Sequence, residues 1–250
     1  IMNIFWKIDE MDIIKVIDFV NAHDNPFVEN RINRNVNRND IKIDRDTIIK
    51  TMLMCLLTSQ QDSSPDSNIG VFLRKKPFIL TYKFLSKEID IKNVLRDVLK
   101  INGLTRYFNK IPNYFSFNYS YLEETNWNLQ TILESTIKNE LTKSNERELA
   151  DSIDHLFKGF GSKQARNFLQ ALGLTKYEIP IDSRIMNWLK DIGFPILFSP
   201  VALQDKAFYH FVSDGIQLLC EKANIYPCVL DAAIFSSNDN ITWTKDNIIF

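Results

Sequence analysis

Residues 156–166 read Leu156-Phe157-Lys158-Gly159-Phe160-Gly161-Ser162-Lys163-Gln164-Ala165-Arg166, and Ile179-Pro180-Ile181-Asp182-Ser183-Arg184 follows downstream. Asp151 to Phe157 closes one apolar-periodic segment, and Ser162 to Leu172 opens another that Gly173 stops. Between them Gly159 and Gly161 flank a single aromatic, a spacing that predicts a sharp turn with its N–H groups exposed. A glycine turn running into a helix start presents free N–H groups and the positive end of a helix dipole, which suits a phosphate. Lys163 falls in the first turn of the second helix. Asp182 lies 19 positions on (182 − 163) and is placed to cap a further helix reaching Lys190, with Gly193 after it.

Outward from this stretch the chain reads as about ten helices with short links, an all-α pattern. Asp9 caps a helix over 9–21, and residues 22–45, polar and carrying Arg31, Arg34 and Arg38, read as a loop. That loop is either a solvated connection or an arm against a polyanion. Asp46 is placed to cap an apolar helix over 47–57 that should be buried, ending in Thr58-Ser59-Gln60-Gln61-Asp62. Pro65 is placed to start a helix over 66–73, and helices are predicted over 91–101, 127–137 and, capped by Ser144, 145–157. Two more are predicted over 206–223 and from Pro227 to Phe235, followed by a tail over 236–250 with room for a short strand.

Composition bounds the function. The 250 residues include 7 Gly, 45% hydrophobic and 24% charged residues, which suits a globular core and argues against a β-rich fold. No apolar run is long enough to span a membrane, and no signal peptide is visible. Cys55, Cys220 and Cys228 are odd in number and unrelated in spacing, so a disulfide framework is not expected and a reducing compartment is. The net charge of −1 does not favour a nucleic-acid partner, but the 30 Lys and Arg can still cluster into a basic face.

The run from Phe157 to Ala165 resembles the helix-hairpin-helix motif of the base-excision DNA glycosylase superfamily, and Ile181-Asp182 is similar to that family's Val-Asp with its essential aspartate. Lyase-competent branches carry a lysine at the position of Lys163. The spacing is similar to the 8-oxoguanine DNA glycosylase branch and close to the endonuclease III branch. The motif itself covers only residues 151–190.

The resemblance implies a two-lobed all-α fold with DNA in the cleft. One lobe spans 49–174 and the other combines 1–48 with 175–250. It implies excision of a damaged base, an oxidised purine such as 8-oxoguanine first, with strand cleavage at the abasic site. Lys163 is then the nucleophile that forms a Schiff base, and Asp182 the carboxylate that stabilises the cationic sugar. Gly159, Phe160, Gly161 and Ser162 hold a phosphate through backbone N–H groups; Gln60 or Gln61 wedges into the duplex; Arg184 contacts phosphate; Asn167, one turn after Lys163, walls the base pocket.

Each role has a plainer counterpart. Lysines on helices are usually solvated, Asp182 can be only an N-cap, Gln60 and Gln61 only a polar turn, and Arg184 only a surface charge. Asp231, in an apolar helix, reads as a cap or salt-bridge partner more than a base reader. The resemblance implies double-stranded DNA with a damaged base as partner, a monomer, and a place in the cytoplasm or, in a eukaryote, the nucleus. It implies no required cofactor and no metal in the chemistry, and it allows a structural monovalent or divalent cation on the hairpin carbonyls. The four clustered cysteines of the iron–sulfur branches are absent, so no such cluster is expected. The rival readings are a non-catalytic helix-hairpin-helix DNA-binding module and a helical scaffold protein.

Overall fold

The structure, a computed structural model, describes residues 5–59, 61, 64–195, 199–239 and 241–249. Gln60 lies outside these. Among the described residues the chain is all-α, with no strand. The helices in order are α1 (Glu10–Ala22), α2 (Pro26–Arg31), α3 (Arg45–Leu57), α4 (Asn68–Leu73), α5 (Tyr82–Leu85), α6 (Ile91–Ile101) and α7 (Lys110–Glu124), then α8 (Asn128–Lys138), α9 (Lys143–Leu156), α10 (Ser162–Ala171), α11 (Ser183–Asp191), α12 (Lys206–Lys222) and α13 (Pro227–Ser237). A π-helical turn, Ile32–Val36, continues α2.

Several expectations are corrected. Residues 22–45 are not a loop: Asn25 accepts from the N–H groups of Phe27 and Val28, Pro26 opens α2, and the chain stays helical to Val36. Asp44, not Asp46, caps α3, because its carboxylate reaches the Thr47 N–H at 2.8 Å. Ser67 caps α4, so that helix begins at Asn68 rather than beside Pro65. Thr142 replaces Ser144 as the cap of α9. The tail holds no strand among its described residues. The reading also passed over α7, whose Pro112 falls in the first turn, where a missing N–H costs nothing.

Buried apolar side chains fall into two clusters. The first runs from Ile43 to Leu174 and centres on α3, which buries Ile48, Met52, Leu53, Cys55 and Leu57 and so has almost no solvent face. The second joins Val16 and Val28 to Ile179, Ile181 and the apolar faces of α11, α12 and α13.

A buried polar joint connects the elements of the two clusters. Arg166 on α10 is fully buried and pairs with the fully buried Glu178 and with Asp151 of α9. Glu178 also accepts from Arg147 at 2.9 Å, Gln217 at 2.8 Å and Ser213 at 3.2 Å. Glu146, 1% exposed, accepts the N–H groups of Lys176, Tyr177 and Glu178 and so fixes the chain between α10 and α11. Buried charges persist only when matched in this way.

Candidate active site

The turn between α9 and α10 is built locally. Gly159 has φ +85, and a Cβ there would meet Tyr114 Cδ2 at 2.3 Å, so a side chain is excluded on both counts. Gly161 differs from expectation: its backbone is extended (φ −144) and a Cβ would touch nothing. Phe160 is half-buried. Its ring packs on Phe157 and Phe168, and its N–H donates to the Phe157 carbonyl. The buried Asn118 of α7 clamps the turn, accepting from the Lys158 N–H at 2.8 Å and donating to its carbonyl at 3.0 Å. Gly159 and Gly161 are exposed. No side chain caps α10, because Ser162 donates its hydroxyl to Asp154 at 2.9 Å. The first N–H groups of α10 therefore have no side-chain partner, and the positive helix end stays open.

A cavity of about 920 Å³ opens beside this helix start. It is lined by the cap residue Gly161 with Ser162, Lys163 and Asn167 of α10, by the cap residue Asp182 with Arg184 of α11, and by Gln61 after α3. The fold thus gathers seven of the sequence-predicted site residues at one place; Gly159 and Phe160 do not reach it. Gln61 donates to the Leu57 carbonyl at 2.6 Å, closing the end of α3, and Asn167 stands against Gln164 at 3.4 Å.

Asp182 caps α11, accepting from the Arg184 N–H at 2.9 Å and the Ile185 N–H at 3.4 Å. Its second oxygen takes the Arg184 guanidinium at 3.1 and 2.6 Å. Burial pushes this carboxyl up, but the Arg184 cation and its hydrogen bonds outweigh burial and hold it below the usual carboxylate range. Arg184 is committed inward, its guanidinium also lying 4.2 Å over the Phe235 ring. Lys163 forms no ion pair with Asp182 within 4.0 Å. Burial lowers its ammonium pKa below the ordinary value; Asp182 opposes this and Arg184 reinforces it. A half-buried amine with a lowered pKa therefore shares a cavity with an ionised carboxylate that is already paired elsewhere.

Part of the cavity wall comes from residues to which the sequence assigns no site role. Arg31 and Arg34, from the segment read as a loop, line it, as do Phe27, Asp231 and Phe235. Asp231 is the salt-bridge partner expected of it, 3.7 Å from Arg31. Burial raises its pKa to about 6 despite that cation. The signals for α2 were the Asn25-Pro26 pair and the helical spacing of Arg31 and Arg34. The tail also contributes, through Trp243, Asn247, Ile248 and Ile249.

No protein-family model matches the sequence, and no curated protein matches it. Solved structures do. The crystal structure of Methanocaldococcus jannaschii 8-oxoguanine DNA glycosylase aligns with TM-score 0.67 at 20% identity, covering 94% of this chain and 96% of that one. The same organism's 8-oxoguanine glycosylase/lyase, in complex with a 15mer DNA containing 8-oxoguanine, aligns with TM-score 0.66 at 17% identity, covering 92% and 100%. The chain has the 8-oxoguanine DNA glycosylase fold. The likeness spans both apolar clusters and the cavity, far beyond the motif at residues 151–190.

Proposed function

We propose that the protein is a bifunctional DNA glycosylase that removes an oxidised base, 8-oxoguanine first, and cleaves the resulting abasic site. The observation that carries this reading is the unpaired Lys163 amine in one cavity with the ionised Asp182. A phosphate clamp needs the open helix start of α10 but neither of these groups. The two apolar clusters act as lobes, and duplex DNA lies across the cleft where the cavity opens. The lesion nucleotide leaves the stack, since its glycosidic carbon is unreachable inside a duplex. The N–H groups at the start of α10 hold a backbone phosphate without reading sequence.

In the chemical step the Lys163 lone pair bonds to the sugar C1′. The glycosidic bond breaks and its electron pair leaves with the base, which takes up a proton. Asp182 stabilises the positive charge that develops on the sugar. Proton loss from the lysine nitrogen and opening of the sugar ring give the imine, and elimination of the 3′-phosphate then cuts the strand. The soluble partner in this reading is damaged duplex DNA, and among the described residues no helix is long and apolar enough to cross a membrane.

The test is a panel of duplexes each carrying one lesion, incubated with and without borohydride. A covalent protein–DNA adduct and strand cleavage on the 8-oxoguanine duplex are expected. Salt-sensitive binding with no adduct on any lesion or abasic site would instead identify a non-catalytic DNA-binding module.

A further inference from the structure

Four cations, Arg31, Arg34, Lys163 and Arg184, and four carboxylates, Asp154, Asp182, Asp231 and Asp239, line the cavity, but only two of the cations form ion pairs there. Arg184 is matched by Asp182 and Arg31 by Asp231. Lys163 and Arg34 remain. Lys163 has the chemistry above to account for it; Arg34 has none. Arg34 sits half-buried in the cavity wall, with no hydrogen bond and no ion pair among the described residues. Burial first, then repulsion from Arg31, pulls its guanidinium down to about 10, and no carboxylate offsets either effect. Arg31 adds a second unmet donor, since its Nη1 makes no hydrogen bond within the protein. A guanidinium carries five N–H donors and no acceptor, so only an acceptor satisfies it. The Arg31 Nη1 is buried without a partner and so costs stability until an acceptor reaches it, and a ligand with acceptors can also take up the free donors of Arg34.

We propose that Arg34, together with Arg31 and Asp231, reads the extruded base, and that it selects bases carrying two carbonyl oxygens with a ring N–H between them. In 8-oxoguanine one edge presents the carbonyl at C6, the N–H at position 7 and the carbonyl at C8. The two guanidiniums supply donors for the oxygens, and the Asp231 carboxylate accepts from the N–H. A base with an amino group in place of one carbonyl sets donor against donor. Sites that hydrogen-bond a substrate discriminate strongly against analogues that leave their polar groups unmet. The inference rests on the glycosylase reading and adds to it the residue that chooses the base. A backbone phosphate is also an acceptor, but every substrate has one whatever its base, which separates the two occupants experimentally.

The experiment compares wild type with Arg34→Met on three duplexes under single-turnover conditions, carrying 8-oxoguanine, 8-oxoadenine or a preformed abasic site. Removal of one charged hydrogen-bond donor should slow 8-oxoguanine release by about 10- to 100-fold. Cleavage and borohydride trapping at the abasic site, which has no base to read, should stay within about 2-fold, and the preference for 8-oxoguanine over 8-oxoadenine should shrink. Arg34→Lys, which keeps a cationic donor, should recover part of the rate. The proposal is overturned if Arg34→Met releases 8-oxoguanine like wild type, or if it loses abasic-site cleavage equally while Arg34→Lys restores both, which marks a phosphate contact. Should Arg34→Met fail to fold, Arg34→Gln, with a neutral amide donor, takes its place under the same criteria. A wild-type protein that neither cleaves nor traps at the abasic site defeats the glycosylase reading itself.

Discussion

Lys163 has to be neutral to act, and its surroundings set how much of it is. Burial and the Arg184 cation lower its pKa from the ordinary 10.5, while Asp182 opposes them. Because Asp182 spends its charge on Arg184 at 2.6 Å, the opposing pull is weakened. The free-amine fraction therefore rises with pH through a midpoint below that of a solvated lysine. Strand cleavage should climb with pH with its midpoint below pH 10.5. Lys163→Gln should abolish cleavage and borohydride trapping while binding to abasic-site DNA, read by a shift assay, is kept. Asp182→Asn should slow base release by about 100- to 1,000-fold, the scale of losing one well-placed electrostatic group. A Lys163→Gln protein that still traps DNA would place the nucleophile elsewhere. These two residues were legible through the resemblance of residues 157–165 and 181–182 to the helix-hairpin-helix family, since a lone lysine on a helix or aspartate at a helix start carries no such signal. Arg34 was not legible, because a run of Asn and Arg looks the same in a loop as on a short helix whose apolar face is only Phe27, Val28 and Ile32.

The hairpin shows how far an element can be read from its composition. Two glycines one residue apart predict a tight turn, and the turn is there, but they are not equivalent. At Gly159 the backbone is left-handed and the space is filled by Tyr114 and Leu56. At Gly161 it is extended and open. Gly159→Ala should therefore cost about 1–3 kcal/mol of unfolding free energy and weaken DNA binding, from strain and forced movement of Tyr114. Gly161→Ala should be within about 0.5 kcal/mol of wild type. Urea unfolding of the two variants decides it, and equal losses would contradict the turn geometry. Some helix ends were legible to the residue, as at α6, Ile91–Ile101, and others only to within a turn. Asp44 and Asp46, or Thr142 and Ser144, are equally good caps in isolation, and the choice falls to where the chain enters the helix. Gln61 was, with Gln60, a candidate wedge into the duplex; without DNA its amide donates to the Leu57 carbonyl at the end of α3.

At the scale of the whole molecule, what holds Lys163 opposite Asp182 is the polar joint at Glu178, and none of it was legible. Arg166, Glu178 and Glu146 look like solvent-facing charges until the fold brings α9, α10 and α12 together. Arg166 follows Lys163 on α10, and Glu178 precedes the strand-like entry to Asp182, so the joint sets the spacing of the two catalytic candidates. Glu178→Gln leaves the fully buried Arg166 short of its counter-charge and should cost about 3–5 kcal/mol. Arg147→Met, which removes a partly exposed partner, should cost much less.

Glu146 adds a pH dependence whose sign follows from burial. Burial raises its pKa from 4.5 to about 7, although three backbone N–H groups favour the charged form. Between these values the folded state binds the proton more tightly than the unfolded chain does. The contribution to stability is thus complete below about pH 4.5 and lost as pH rises through about 7. The unfolding free energy of wild type should fall across that window, and Glu146→Gln, which cannot titrate, should fall less steeply. The check is urea unfolding of both proteins at pH 5 and pH 7.5. Parallel curves would mean that Glu146 is ionised in the folded protein across the whole window, its charge carried by the N–H groups of Lys176, Tyr177 and Glu178.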